Sequence, residues 1–442
     1  PHLTTRLVRT QRGQVVRTTI NKELQENLAS LLTRSLRVHE PEVTMAAFVI
    51  ESATGAVQAY VGNAAPHDAH RRGMVDVVPA IRSPGSTLKP FIYGMGFDRL
   101  IVHPETVIAD MPLRFGAYAP ENFGGGFNGE VTVREALQRS LNLPAVALLD
   151  RIGPVALDTA LQDAGVQLRF DRRLGKPTLP IALGGVGISL ENLVRLYASI
   201  PTGGSVPSLH YTAAPPSARH LMSAGSAWYL ARILEGVPRP LGFNDARISN
   251  SPVVAYKTGT SYGFRDAWAI GFSGPYTLGV WVGRADGTPC ARCVGIEAAA
   301  PILLQAAQFL PQTRVQAPQA KPATVLEVSS AGLPPSLQRF SLKGSSTTAQ
   351  RAARLLTPPL RLVFPQDETL VELKASATQL PLKAEGGQRP LRWLVNGEPV
   401  ESDAATREAT WRISGHGFAR ITVQDATGAS ASAMAWLATE QD

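Results

Sequence analysis

Ser86 stands three residues before Lys89 in Ser83-Pro84-Gly85-Ser86-Thr87-Leu88-Lys89-Pro90, and the apolar run Phe91, Ile92, Tyr93 follows. Pro84 and Gly85 punctuate the chain just before Ser86, so the pattern predicts a loop turning into a buried helix. On such a helix Lys89 shares a face with Ser86, because side chains at i and i+3 are neighbours. Ser86 would open the helix at its positive end, where unpaired backbone N–H groups favour developing negative charge. A serine hydroxyl becomes a nucleophile only with a base in hydrogen-bond reach. A lysine is a base only as the neutral amine, the form that burial or a neighbouring cation favours. Alone, S-x-x-K is a chance pattern in any long chain.

Two further motifs change that weighting. Ser140-Leu141-Asn142 is an S-x-N, and Lys257-Thr258-Gly259-Thr260-Ser261 opens with K-T-G. The ordered trio resembles that of the serine β-lactamases and penicillin-binding proteins, which implies acyl transfer through a serine. On a strand, Lys257 can present a cation to Ser140 and to a substrate carboxylate. Thr258 and Thr260 can donate hydrogen bonds to that carboxylate. Gly259, without a Cβ, lets an extended ligand lie against the strand. Facing a carboxylate, Lys257 is expected to keep its charge, leaving Lys89 as the neutral amine.

These groups need a scaffold. Asn21 is expected to cap an amphipathic helix bearing Leu24, Leu28, Leu31 and Leu32, after a short hairpin or connector over 7–19. Residues 45–50 read as a buried strand, turning at Thr54 and Gly55 into its hairpin partner over 56–62. A helix over 134–139 should stop before Ser140, because the residue before Pro144 is pushed out of helical geometry. The S-x-N then falls on a loop, with helix resuming at Ala145 and another helix over 190–200. Strands over 252–257, 266–272 and 276–283 form an antiparallel meander with K-T-G on the first.

Composition shifts to Pro, Ala, Ser, Gln and Lys over 311–359, which is linker-like, with short strands at 325–328 and 337–342. About seven short strands at sandwich-like spacing follow, with Asn396-Gly397 the strongest hairpin signal. A chain of 442 residues is too long for one core, and 44% hydrophobic with 18% charged residues excludes disorder. The net charge of +8 comes from scattered basic residues with no dense block or aromatic interleaving, so nucleic-acid binding is not expected. An anionic wall or membrane face suits that charge equally well. No apolar run reaches the roughly eighteen residues of a membrane span. The chain opens at Pro1 without methionine, so a fragment or processed form is expected.

Cys290 and Cys293 form a C-x-x-C in a Gly/Pro-rich loop, without the second pair that a structural zinc requires. The expected role is a local disulfide in an oxidising compartment, with two free thiols as the alternative.

Residues 82–91, Tyr118-Ala119-Pro120-Glu121-Asn122, 140–142 and 257–283 resemble the transpeptidase domain of class A penicillin-binding proteins. The stretches 266–272 and 280–289 are similar to the penicillin-binding protein 1C branch, whose small β-rich C-terminal domain the Trp393 hairpin region also resembles. The Cys290/Cys293 pair lies outside the family's motifs. The resemblance implies an α/β (α+β) fold: a penicillin-binding, serine β-lactamase-like transpeptidase domain with an antiparallel sheet and a helical subdomain. A small all-β immunoglobulin-like domain follows. It divides the chain into 1–30, a connector from a glycosyltransferase domain not contained in these residues; 31–312, the transpeptidase domain; 313–358, a linker; and 359–442, the β domain.

The implied activity is a serine-type peptidoglycan D,D-transpeptidase, acylated by β-lactams, without metal or cofactor. Ser86 would attack a D-Ala-D-Ala stem peptide, Lys89 would take its proton, and Ser140, held by Lys257, would pass a proton to the leaving D-alanine. Asn142, Thr258, Gly259 and Thr260 would bind substrate, with the N–H groups of Ser86 and Thr260 as oxyanion hole. Stem peptides and β-lactams are the implied partners, other wall-synthesis proteins are further ones, and membrane contact is through the missing N-terminal region. The implied location is the periplasmic face of the bacterial inner membrane. The alternatives are a D,D-carboxypeptidase or β-lactamase, which send water to the acyl-enzyme, and a weakly catalytic β-lactam-binding or wall-binding scaffold.

Overall fold

The computed structural model describes residues 1–9, 13, 15–113, 115, 118–170, 177–243, 252–311, 320–341, 360–367, 369–373, 378–387, 389–403, 406–413, 417–426 and 428–439. The chain forms two compact units, one of residues 1–105, 133–140 and 145–337, the other of 106–132, 141–144 and 338–442.

The first unit opens with α1 (His2–Val8), so the short hairpin or connector expected over 7–19 begins within the last residues of a helix. The residues 15–20 that follow have no regular structure, and 10–12 and 14 lie outside the described residues. Asn21 Oδ1 accepts from Leu24 N–H at 3.0 Å and caps α2 (Lys22–Ser35), which buries Leu24, Leu28, Leu31 and Leu32 as their spacing predicts. Strands β1 (Val43–Glu51) and β2 (Val57–Val61) make the expected antiparallel hairpin. A 3-10 turn, Gly85–Leu88, leads into α3 (Lys89–Asp98).

Hairpin β3 (Val107–Asp110) and β4 (Gly129–Thr132) belongs to the second unit. The chain then runs through α4 (Val133–Gln138), α5 (Asn142–Ile152), α6 (Pro154–Asp163) and α7 (Leu190–Ala198). The short pair β5 (Ser205–Pro207) and β6 (Ala218–His220) precedes α8 (Ala224–Glu235). The meander β7 (Ala255–Thr260), β8 (Asp266–Ser273) and β9 (Tyr276–Arg284) completes an all-antiparallel sheet in the order β2-β1-β9-β8-β7. Strand β1 is buried along its length except at Glu51, as a central strand covered on both faces requires. Helix α7 approaches closely at Gly279, where a Cβ would meet Val194 Cγ2 at 2.6 Å and Leu190 Cδ1 at 2.7 Å. A π-helical turn, Gly295–Ala299, and α9 (Ala300–Ala306) follow.

The strand expected at 325–328 is irregular: Val325 N–H closes a turn on Pro322 O at 3.0 Å, and Leu326 N–H bonds the Tyr229 hydroxyl at 2.8 Å. Instead of a strand over 337–342, α10 (Pro335–Gln338) ends just before Arg339, which bridges to Val107, and Leu342 lies outside the described residues. Pro334 and Pro335 set that local geometry, since proline suits a helix start and lacks the N–H of a ladder.

The second unit adds β10 (Arg361–Phe364), β11 (Thr369–Leu373), β12 (Gln379–Glu385), β13 (Arg392–Val395), β14 (Glu398–Val400), β15 (Glu408–Arg412), β16 (Gly417–Gln424) and β17 (Ser430–Thr439). Two sheets result, β10-β12-β15 and β11-β17-β16-β13-β14. Between them lies a core that includes Leu382, Trp393, Ile421 and Leu437. Asn396 (φ 52°) and Gly397 (φ 88°) turn the β13–β14 hairpin as their sequence predicts. The mixed helix-and-sheet first unit and the all-β C-terminal region agree with the fold class read from sequence. Among the described residues no helix is long and apolar enough to cross a membrane.

Candidate active site

Ser86 does not open the α-helix itself but sits in the 3-10 turn before it, because Pro84 and Gly85 tighten the entry. Lys89 N–H donates to Ser86 O, so the lysine still follows the serine by one turn. Within residues 84–90 every residue is buried except Ser86, which is half-buried. The turn is held from several sides. Ser83 Oγ donates to Gly184 O at 2.7 Å, and Trp268 Nε1 donates to Ser83 O at 2.8 Å. Tyr197 OH donates to Thr87 O at 2.7 Å, and Thr87 Oγ1 donates to Pro84 O at 2.9 Å. Gly85 has a φ of 54°, and a Cβ there would lie 2.5 Å from Thr260 O, so both conformation and space require glycine.

Ser140 lies in the short junction between α4 and α5, with a left-handed φ of 60° that few non-glycine residues adopt. That turn breaks the helix, in place of the expected effect of Pro144. Helix α5 resumes at Asn142, and Pro144 fits its first turn, where no intrahelical N–H is needed. Two buried amines converge on Ser140. Lys89 Nζ donates to its carbonyl oxygen at 2.6 Å, and Lys257 Nζ donates to its Oγ at 2.7 Å. Lys257 Nζ also bonds Thr258 O at 2.9 Å. The two lysines are 0% and 1% exposed. Burial pushes the Lys257 amine down to about 7. The charge expected on Lys257 is therefore only partly kept at neutral pH, because its side chain runs inward under the strand instead of lying in solvent along its edge.

Strand β7 is at the edge of its sheet, paired with β8 alone among the described strands. Its pleat puts Lys257 and Gly259 on one face and Thr258 and Thr260 on the other. A Cβ at Gly259 would lie 2.5 Å from Pro84 O and 2.7 Å from Thr87 Cγ2. The glycine thus lets the serine turn pack on the strand, a reason nearer at hand than the room for a ligand inferred from sequence. Thr260 Oγ1 accepts from Gly295 N–H at 2.9 Å. Gly295 closely follows Cys290 and Cys293, whose sulfurs are joined in the expected local disulfide.

Ser86, Lys89, Ser140, Lys257, Thr258, Gly259 and Thr260 all belong to the first unit, and Asn142 to the second. Asn142 N–H donates to Asn122 Oδ1 at 2.7 Å, and Asn142 Nδ2 donates to Glu121 O. Asn122 Nδ2 in turn donates to both carboxylate oxygens of the buried Asp110 at 2.9 Å, and Asn128 adds bonds from its N–H and Nδ2. In the sequence, Glu121, Asn122 and Trp268 stand in stretches that carry the family resemblance but receive no role there, and Asp110 and Tyr197 carry no signal of their own. Their parts depend on contacts remote in sequence. Among the described residues no group of three or more His, Cys, Asp or Glu is placed to hold a metal ion.

The family model of the penicillin binding protein transpeptidase domain matches residues 45–287, and that of the Penicillin-Binding Protein C-terminus Family matches residues 349–435. The chain is 39% identical over 296 residues to penicillin-binding protein 1C of Escherichia coli (strain K12), a match covering 67% of this chain and 38% of that protein. It is 28% identical over 315 residues to penicillin-binding protein 1A of Clostridium acetobutylicum, covering 62% of this chain and 38% of that one. The chain thus spans well under half the length of these relatives. In fold it is similar to PonA1 of Mycobacterium tuberculosis in complex with penicillin V, with a TM-score of 0.58 at 22% identity over 70% of this chain and 89% of that one. Penicillin-binding protein 1A from Haemophilus influenzae gives a TM-score of 0.54 at 19% identity, over 63% of this chain and 50% of that one. With the match to the transpeptidase model extending over more than half of its residues, the chain belongs to the penicillin-binding protein transpeptidase family.

Proposed function

We propose that this chain carries the D,D-transpeptidase centre of a peptidoglycan-synthesis enzyme and is acylated by β-lactams at Ser86. The observation that carries the reading is the convergence of two buried lysine amines on Ser140, one of them from the residue a turn after Ser86. Lys89, as the neutral amine, takes the Ser86 proton while Oγ attacks the penultimate D-alanine carbonyl of a stem peptide. Ser140, hydrogen-bonded to Lys257, returns a proton to the leaving D-alanine. The N–H groups of Ser86 and Thr260 face the developing oxyanion, a contribution typically worth roughly 3–4 kcal/mol per donor. Thr258 and Thr260 bind the terminal carboxylate, and the open edge of β7 takes the extended peptide as an added strand. Asn142 is the proposed contact for the donor peptide. An amine from a second stem peptide then accepts the acyl group.

A buried disulfide suits an oxidising compartment, in keeping with action at the periplasmic face of the bacterial inner membrane. The test is incubation with a D-Ala-D-Ala pentapeptide and a D-amino acid acceptor. Release of D-alanine together with acceptor-exchanged peptide, both lost in Ser86→Ala, is the expected result. Release without exchange would make the chain a D,D-carboxypeptidase, and no release at all would leave a β-lactam-binding scaffold.

A further inference from the structure

The five-stranded sheet of the second unit turns one face to the core and leaves the other outside. On the outer face of β16, alternation places Phe418, Arg420 and Thr422 in a row, about 6–7 Å apart from one to the next. Phe418 pairs across the ladder with Trp436, and Trp436 pairs with Leu370. The two aromatic rings meet edge to face, with centroids 4.4 Å apart, while Phe418 stays 69% and Trp436 43% exposed. Next along the row, Arg420 and Thr422 line a cavity of about 240 Å³ whose other wall is the Gly124–Gly126 backbone. That wall is fixed, since Gly125 N–H donates to Asn122 O and Asn122 Nδ2 donates to Gly126 O, both at 3.1 Å. Asn396 holds the base of Arg420, accepting from its N–H at 2.8 Å and donating its own N–H to Arg420 O at 2.9 Å. Among the described residues the Arg420 guanidinium meets no carboxylate at ion-pair distance.

An open aromatic platform beside an unneutralised, fork-shaped cation is suited to a ring with an apolar C–H face and an attached acid group. The exposed apolar part amounts to three side chains, short of the roughly 800 Å² per partner that a stable protein interface buries. Beside Arg420 the cavity is lined by the exposed Asn396 and by glycine backbone, groups that hydrogen-bond hydroxyls and acetamido groups. We propose that this face binds an acidic amino sugar, the ring lying on Phe418 and Trp436 and the carboxylate meeting Arg420 at the cavity mouth. It is a binding site separate from the Ser86 chemistry, and it stands or falls independently of that chemistry.

Isothermal titration of the full 442-residue chain with two disaccharides tests it. One is N-acetylglucosaminyl-N-acetylmuramic acid, which carries a lactyl carboxylate, and the other is neutral chitobiose. The acid should bind saturably and about tenfold or more tighter than chitobiose, the difference a charge-assisted fork contact supplies. Arg420→Ala should bring the acid to the level of chitobiose, and Trp436→Ala should abolish binding of both. Both variants should keep the wild-type melting midpoint, and Ser86→Ala should bind the acid normally. Absence of saturable binding, or affinity unchanged in Arg420→Ala and Trp436→Ala, overturns the proposal. So does concentration-dependent self-association that Trp436→Ala removes in a chain that binds no sugar, which would make the face a contact between copies.

Discussion

Lys257 Nζ donates a 2.7 Å hydrogen bond to Ser140 Oγ from a position that is 1% exposed to solvent. Burial lowers its pKa to about 7, against about 10.5 in an unfolded chain. Below pH 7 both states hold the proton, and the folded state bears the full cost of a buried ammonium. Between 7 and 10.5 the unfolded chain binds more protons, so that cost is relieved as pH rises. Lys257→Met removes the group, so the variant's stability relative to wild type should fall as pH rises. Chemical denaturation at steps from pH 7 to 9.5 should show the stability difference, variant minus wild type, falling by up to about 1.4 kcal/mol per pH unit. A constant gap would mean that Lys257 titrates normally.

The same burial makes a kinetic prediction. Lys257→Arg keeps a cation that does not titrate in this range. The pH profile of acylation by a β-lactam should show an inflection near 7 in wild type and none in the arginine variant. An inflection that persists in Lys257→Arg would assign it to another group.

Gly259→Ala tests the packing of the serine turn on β7. The new methyl would sit 2.5 Å from Pro84 O, a backbone atom that cannot move aside without the turn. Overpacking of this kind costs about 1–3 kcal/mol of stability. The displaced Ser86 should lose acylation rate by about 100-fold, as a misplacement near 1 Å commonly costs. Stopped-flow acylation reads this, and a rate within a factor of about two of wild type would show that the turn can yield.

The disulfide and strand β7 are linked through Gly295, whose N–H bonds Thr260 Oγ1. The double change Cys290→Ser and Cys293→Ser should slow acylation roughly three- to tenfold through loss of that support, equivalent to about 1 kcal/mol. Adding reductant to the wild type should slow it to the same degree once the bond opens. Equal rates in all three would leave the disulfide with no part in positioning Thr260.

Much of this was legible in sequence because it is local. The α2 cap at Asn21, the leucine stripe, the β1–β2 hairpin, the β7–β9 meander and the Asn396-Gly397 turn each follow from neighbours along the chain. The motif spacing likewise brought Ser86, Lys89, Ser140 and Lys257 to attention. What sequence did not reveal depends on tertiary contact. The inward path of Lys257, the role of Gly259 beneath Pro84 O, and the anchoring of the turn by Trp268 and Tyr197 involve partners far away in the chain. Ser140 breaking the helix by a left-handed turn was masked by Pro144, a stronger local signal that pointed to the wrong residue. The helix at His2–Val8 runs into the 7–19 stretch, which reads from sequence as a short hairpin or connector.

Asn122→Ala tests the support of Asn142. It removes the Oδ1 that accepts from Asn142 N–H and strips two of the bonds on buried Asp110. The expected loss is about 1–3 kcal/mol, confined to the second unit. Hydrogen exchange should show faster exchange at the Asn142 amide and in β3–β4, with the β7–β9 meander unchanged. Uniform acceleration in both units would contradict a local role.

The central claim is that Ser86 is the acylated nucleophile, and intact-mass measurement with peptide mapping addresses it most directly. Incubation with benzylpenicillin should add one intact ligand mass per chain, and proteolysis should place that mass on the peptide containing Ser86. Ser86→Ala should take up none while melting at the wild-type temperature. A stoichiometric adduct in Ser86→Ala, or one mapped to another serine in wild type, would contradict the account.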